Sequence, residues 1–224
     1  MYNSILNYQR KIIGETFGKY GATPMGTYQN NTATQYLRFD RLILNIKEII
    51  KGGTIHDVGT GICDLHKYLI SKNINHLYSG TEIVQAMIDF SINKYPGIEL
   101  YNRDLLTVNN ESYDFLLLSG TLNNVHELDK NIWEEYAYNL IEKMFSLCNK
   151  GIAFNFLTSN NTFSQDDLIY FDPGKVLNFC INKLSRFVVV DNSYPLYEVT
   201  ITVFKKEFIK ELYSDENFAK YFKN

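Results

Sequence analysis

The stretch Thr54-Ile-His-Asp-Val-Gly-Thr-Gly-Ile-Cys-Asp-Leu65 constrains the fold more than any other, because it reads as a buried strand, a glycine turn and a helix start in immediate succession. Gly59 and Gly61 lack a Cβ, so the backbone there can take positive φ and lie against a ligand that a side chain would push away. The helix that follows begins with unpaired N–H groups. Asp57 stands at the end of the strand, where a carboxylate can orient the turn and meet a cationic or hydroxyl-bearing ligand. About twenty residues further on, the apolar run Leu77-Tyr-Ser-Gly ends in Thr81-Glu82, where an acid can hydrogen-bond ribose hydroxyls. Two acids and two glycines thus frame one nucleoside.

A dinucleotide fingerprint would need glycine at the sixth position of Gly-x-Gly-x-x-Gly, and that position is Asp64. A carboxylate there suits the helix dipole but repels a diphosphate, which argues against NAD and FAD. A phosphate-binding loop fails too. Gly14-Glu-Thr-Phe-Gly18-Lys19-Tyr20 is one residue short between its glycines and ends in Tyr rather than Ser or Thr.

The run resembles the first motif of the class I S-adenosylmethionine (SAM) methyltransferases, an acid, any residue, then Gly-x-Gly-x-Gly. Asp57, Gly59 and Gly61 match it, and Cys63 stands in place of the third glycine. The resemblance continues at Glu82, at Asn102-Arg-Asp104-Leu105, and at Ser119-Gly-Thr-Leu-Asn123 after the apolar run Tyr113–Leu118. It implies SAM as cofactor, with Asp57, Thr60, Glu82, Ile83, Met87 and Asp104 among its contacts, Asp104 meeting the adenine amino group. It also brings Leu105, Ser119 and Gly120 to the cofactor, and Asn123 to the substrate. Gln35-Tyr-Leu-Arg38-Phe39 matches a Gln-x-x-Arg-Phe pattern of bacterial members, which would make Arg38 a bidentate clamp on the methionine carboxylate. An arginine on a solvated helix face is the equal alternative. Tyr170 and Tyr197 would wall the acceptor pocket, or simply pack, in a chain with 17 tyrosines.

Strand and helix patterns alternate along 54–58, 62–71, 76–81, 84–93, 98–101, 113–118, 130–147 and 151–157, which implies a parallel sheet with crossover helices. The rhythm then changes to a helix near 174–183 and two β-rich runs, 186–191 and 197–204. Asn192-Ser-Tyr-Pro195 between them is too short for a parallel crossover. The expected fold is therefore α/β, the Rossmann-like seven-stranded methyltransferase sheet, parallel with a C-terminal antiparallel hairpin and helices on both faces. Residues 1–50 form a helical segment capping the active site, with helices over 4–17 and 33–50; 51–206 form the SAM-binding domain; 207–224 form a terminal helix.

With 224 residues, 45% of them apolar, the chain can fill one ordinary domain. The formal net charge of −3 offers no footprint for a polyanion, and Ser119-Gly-Thr-Leu replaces the Asn/Asp-Pro-Pro-Tyr/Phe motif of amino-group DNA methyltransferases. Nucleic acid is therefore not the expected substrate. No apolar run approaches the ~20 residues that span a bilayer, and no N-terminal leader pattern is seen. Three cysteines, Cys63, Cys148 and Cys180, form neither a disulfide framework nor a zinc pattern, so no metal is expected. A cytoplasmic monomer or homodimer is expected, and the wealth of Asn, Ile, Lys, Tyr and Phe suggests a bacterium with an A/T-rich genome.

Methyl transfer from a sulfonium chiefly needs alignment and exclusion of water, with a proton acceptor for some nucleophiles. Residues just past the strands are the candidates, namely Asn123, His126, Asn155 and Thr158. His126 suits a general base, or is a surface histidine beside Glu127 and Asp129. His56, His66 and His76 read as structural. The expected acceptor is a small molecule, an oxygen of a sugar or nucleotide-linked precursor of bacterial surface polysaccharide by analogy with related sequences. The alternatives are a small carboxylate oriented by Arg38 or Arg103, and a non-catalytic protein that binds SAM or its product.

Overall fold

The computed structural model describes residues 2–223; Met1 and Asn224, the ends of the expected outer segments, lie outside the described residues. The strands are β1 Thr54–Val58, β2 Leu77–Glu82, β3 Glu99–Asn102, β4 Tyr113–Leu118, β5 Cys148–Leu157, β6 Val188–Asp191 and β7 Glu198–Phe204. They form one sheet in the order β3-β2-β1-β4-β5-β7-β6. β7 runs antiparallel to both β5 and β6, and the remaining pairs are parallel. The hairpin expected across Asn192–Pro195 is thus present, and it slots β7 between β5 and the edge.

β4 shows why this sheet forms. Its Phe115, Leu116, Leu117 and Leu118 are all fully buried, as a strand covered on both faces requires. Successive side chains point to opposite faces. Leu116 and Leu118 join Phe154, Trp133, Ala137 and Leu140 on one side, whereas Phe115 and Leu117 join Ile55, Phe39, Leu69 and Phe208 on the other. Removing the side chain of Leu116 or Leu117 to Ala would cost about 2–5 kcal/mol.

The helices are α1 Asn3–Tyr20, α2 Thr32–Ile43, α3 Asp64–Ser71, α4 Gln85–Lys94, α5 Lys130–Leu147, α6 Pro173–Phe179 and α7 Lys206–Leu212. Asn31 caps α2 by accepting from Thr34 N at 2.9 Å, and Asp129 caps α5 through Asn131 N at 2.8 Å. α2 ends earlier than the pattern to Ile50 implies. Beyond Ile43 the chain tightens into turns, with Ile46 N bonded to Ile43 O and Ile49 N to Ile46 O, which carry Ile46 and Ile50 into the core. The expected helix to Lys183 widens after Phe179 into a π-turn over Cys180–Leu184. The terminal helix breaks at Tyr213 and resumes as a 3₁₀ turn over Glu216–Phe222. α1 lies on α4, with Phe17 and Ile13 against Ile62, Val84 and Met87. Among the described residues no helix is long and apolar enough to cross a membrane.

Candidate functional site

A cavity opens beyond the carboxyl ends of β1, β2 and β4, walled by the α1–α2 connection and by α5. This is where open α/β sheets hold ligands. Its floor is the glycine turn. Gly59 has φ 74°, and a Cβ there would stand 2.3 Å from Thr121 Oγ1, so only glycine fits. Gly61 has φ 54° and faces open space. Cys63 takes φ 62°. It adopts the left-handed conformation at the third glycine position, with its buried thiol accepting from Thr60 Oγ1 at 3.5 Å. α3 therefore begins at Asp64 rather than at residue 62.

Asp57 is buried at the strand end, where Tyr78 Oη donates to its Oδ2 at 2.5 Å. Burial pushes its carboxyl up to about 7, against the pull of the Tyr78 and Thr60 hydroxyls. Glu82 closes the turn from the neighbouring strand. Its Oε2 accepts from Gly61 N at 2.9 Å, and its Oε1 from Ile83 N at 2.7 Å and Val84 N at 2.9 Å. Burial raises its carboxyl, and the three backbone N–H groups oppose that rise. Asp104 Oδ1 accepts from Leu106 N and Tyr136 Oη, each at 3.1 Å. Among the described residues Arg103 is the sole cation on the lining. It is held by both oxygens of Glu111 and lies over the Tyr101 ring, 4.1 Å from its centroid. Asp57, Asp64, Glu82 and Asp104 thus face one already neutralised arginine. Such a field suits a cationic, phosphate-free nucleoside and repels a diphosphate.

Of the expected cofactor contacts, Asp57, Gly59, Thr60, Gly61, Glu82, Ile83, Met87, Asp104, Leu105, Ser119 and Gly120 all line this cavity. Arg38 does not. Its Nε donates to Glu198 Oε1 at 2.6 Å and its Nη1 to Gln29 Oε1 at 2.7 Å, so it is neither a free clamp nor a solvated surface arginine. Asn123 is also turned away, its Oδ1 accepting from Leu157 N at 3.3 Å. Tyr170 Oη accepts from Gln165 N at 3.0 Å and Tyr197 is 47% exposed, both off the lining. His126 stands one layer out, its ring edge-on to Tyr28 at 5.3 Å. Its backbone is left-handed (φ 51°), its Nε2 is buried without a partner, and burial pulls its imidazole below the usual value. Thr158 Oγ1 accepts from Asn160 N at 3.0 Å.

His56 is enclosed in the sheet, bonded to Ser79 Oγ at 2.8 Å and Thr81 Oγ1 at 2.6 Å, and burial pushes it down to about 3. His66 and His76 bond each other at 3.1 Å. Among the described residues no three His, Cys, Asp or Glu side chains group to hold a metal. The sequence pattern missed Tyr28, Gln29, Thr121, Asn124 and Tyr136 on the lining. Thr121 lies inside the Ser119–Asn123 run and Asn124 directly follows it, whereas Tyr28, Gln29 and Tyr136 lie in no recognised motif.

No family model matches the chain. A curated Mycobacterium tuberculosis protein, whose name assigns it provisionally to the methyltransferases, is 28% identical over 158 residues, covering 68% of this chain and 93% of its own length. Among solved structures, the chain is similar to magnesium protoporphyrin IX methyltransferase of Synechocystis with bound SAM, at TM-score 0.61 and 13% identity, covering 88% of this chain and 96% of that one. It is also similar to 1,6-didemethyltoxoflavin-N1-methyltransferase of Burkholderia thailandensis with bound S-adenosylhomocysteine, at TM-score 0.66 and 11% identity, covering 92% and 90%. Taken with the sheet order, the antiparallel seventh strand and the glycine turn, these likenesses show that the chain has the fold of the class I SAM-dependent methyltransferases.

Proposed function

We propose that this chain transfers a methyl group from SAM to a small-molecule acceptor. The observation that supports the proposal is an acid-lined cavity beyond the carboxyl ends of a sheet in the methyltransferase strand order. When bound, SAM supplies a methyl group already activated by a sulfonium. The residues then have three tasks. Glu82 and Asp104 offer carboxylate oxygens to the nucleoside, and Asp57 faces the cationic end. Leu6, Phe39, Met87 and Leu140 exclude water from the lining. His126, whose imidazole burial pulls below its usual value and whose Nε2 has no partner among the described residues, is the proposed proton acceptor, for an acceptor molecule that enters beside Tyr28.

The acceptor in this proposal is a small molecule. The narrower expectation, an oxygen of a sugar or nucleotide-linked polysaccharide precursor, rests on resemblance alone; the two solved relatives named above act, by their names, on a porphyrin and on a toxoflavin precursor. A small carboxylate acceptor is disfavoured, since Arg38 is paired with Glu198 and Arg103 with Glu111. The non-catalytic reading drew on the loss of the third glycine, and Cys63 takes the glycine-like conformation itself.

Calorimetric titration with SAM, S-adenosylhomocysteine and NAD tests the proposal. Binding of the first two and not of NAD is expected. Binding of NAD, or of none, would overturn it. With SAM binding established, His126→Ala should leave SAM affinity unchanged and lower turnover by about 10²–10⁴-fold on an acceptor whose nucleophile must lose a proton.

A further inference from the structure

The connection between α1 and α2 presents a hydrogen-bond donor whose direction is dictated by its neighbour. Tyr28 takes a left-handed backbone (φ 55°) and Gln29 N donates to Pro24 O at 2.7 Å, which leaves the Gln29 side chain on the cavity wall. Its Oε1 accepts from Arg38 Nη1 at 2.7 Å. A guanidinium only donates, so the amide oxygen has to face it and the amide nitrogen has to face the other way. Among the described residues that nitrogen has no hydrogen-bond partner, and it lies 3.8 Å from where a Cβ on Gly120 would stand, just past the end of β4.

Arg38 is itself immobilised. Its Nε donates to Glu198 Oε1 at 2.6 Å, Glu198 Oε2 accepts from Asn155 Nδ2 at 3.1 Å, and Asn155 Oδ1 accepts from Gly120 N at 2.8 Å. The chain of bonds leaves Gln29, passes through β7 and β5, and returns to Gly120, which the Gln29 amide nitrogen faces. The Gln29 amide nitrogen is left at the cavity end of this chain of bonds. A donor held in place before ligand arrives loses little entropy on binding. On a lining whose charged groups are four acids and one paired arginine, it is a fixed point at which a negative oxygen is welcomed.

We infer that Gln29 Nε2 binds the methionine carboxylate of SAM, and that Arg38 is a positioning residue which acts on that carboxylate only through Gln29. The inference rests on the methyltransferase reading above. It replaces the direct arginine clamp that the Gln-x-x-Arg-Phe pattern implied.

The test is a titration of the full chain and its Gln29→Ala, Gln29→Glu and Arg38→Lys variants with SAM and with decarboxylated SAM, two ligands that differ by the carboxylate alone. The wild type should prefer SAM by about tenfold or more, the scale of one hydrogen bond to a charged group. Gln29→Ala should abolish that preference while leaving affinity for decarboxylated SAM within about twofold, and Gln29→Glu, which puts an anion where the donor was, should reverse it. Lysine at 38 can still pair with Glu198 but lacks the fork that holds Gln29, so Arg38→Lys should shrink the preference too. Should that variant fail to fold, the two Gln29 variants carry the test alone. An unchanged preference in Gln29→Ala overturns the inference. A wild type that binds neither ligand overturns the methyltransferase reading instead.

Discussion

The two halves of the site are built by different means. In the nucleoside half, Asp57, Gly59 and Gly61 sit in one turn, and Glu82 arrives from the adjacent strand, in register with it through Val58 and Thr81. Its bonds are short-range in the fold: Glu82 to Gly61, Tyr78 to Asp57. In the half facing the α1–α2 connection, the polar contacts join residues far apart in the chain, Arg38 to Glu198 and Asn155 to Glu198. The first half depends on backbone conformation and local carboxylates. The second depends on a buried ion pair, which is costly to break because each partner is desolvated for the other.

The sharpest way to break that contrast is to remove one member of the ion pair. Glu198→Ala leaves the Arg38 guanidinium buried without its counter-ion, and should lower unfolding stability by about 3–5 kcal/mol in urea titration. The like removal of Glu82, whose partners are backbone N–H groups, should act chiefly on ligand binding.

Asp57 gives the nucleoside half a pH signature. Its folded pKa, about 7, lies above the ordinary carboxyl value of 3.8, so the folded chain keeps a proton that the unfolded chain releases between about pH 4 and pH 7. Stability from this group therefore falls as pH rises through that window and levels off above it. His56 works in the opposite sense. Its folded pKa, about 3, lies below 6.5, so its contribution is lost as pH falls from about 6.5 towards 3. Asp57→Asn should isolate the first effect: between pH 5 and pH 7 the wild type should lose about 2 kcal/mol relative to the variant. Parallel stability curves for the two proteins would contradict the burial-raised carboxyl.

Glu82→Ala should weaken SAM binding by roughly 1–3 kcal/mol, read by calorimetry, since it removes the oxygens offered to the ribose. It also frees three backbone N–H groups, those of Gly61, Ile83 and Val84. Part of the loss will therefore appear as lower thermal stability of the free protein. Unaltered affinity would return Glu82 to a purely structural role.

The same contrast explains what the chain disclosed before folding. The β1 turn was legible because Asp57, Gly59 and Gly61 act within one short span, and Glu82 because a crossover returns the chain to the neighbouring strand at a nearly constant spacing. The hairpin was legible in the brevity of 192–195. Arg38 was misassigned for a physical reason: its partner lies 160 residues away, and the pairing exists only because β7 inserts beside β5. Gln29 and Asn124 sit in connections with no periodicity to mark them, so their place on the lining follows from tertiary packing alone. The turned-away Asn123 differs from the lining Asn124 by one step of backbone, a distinction no spacing rule resolves.

Cys63 is the finest test of the view that the nucleoside half is governed by backbone conformation. At φ 62° a side chain costs roughly 1–2 kcal/mol relative to glycine. Against that, Cys63 is fully buried, in the same core cluster as Leu65 and Tyr68, and burial raises its thiol so that it stays an uncharged filler. Cys63→Gly restores the motif's third glycine, relieving the left-handed strain while leaving a small void and a more flexible unfolded chain. These effects oppose one another, so stability should change by less than about 1 kcal/mol. SAM affinity should stay within about twofold, because the ligand meets the backbone of Gly59–Gly61 and not the thiol beneath it. Cys63→Val, by contrast, places a β-branched side chain in the same left-handed turn and should destabilise the protein by more than the glycine variant, with α3 and the Gly61 N–H displaced together. If Gly and Val behaved alike in both assays, the turn would tolerate any backbone, and conformation would not be what this half of the site requires.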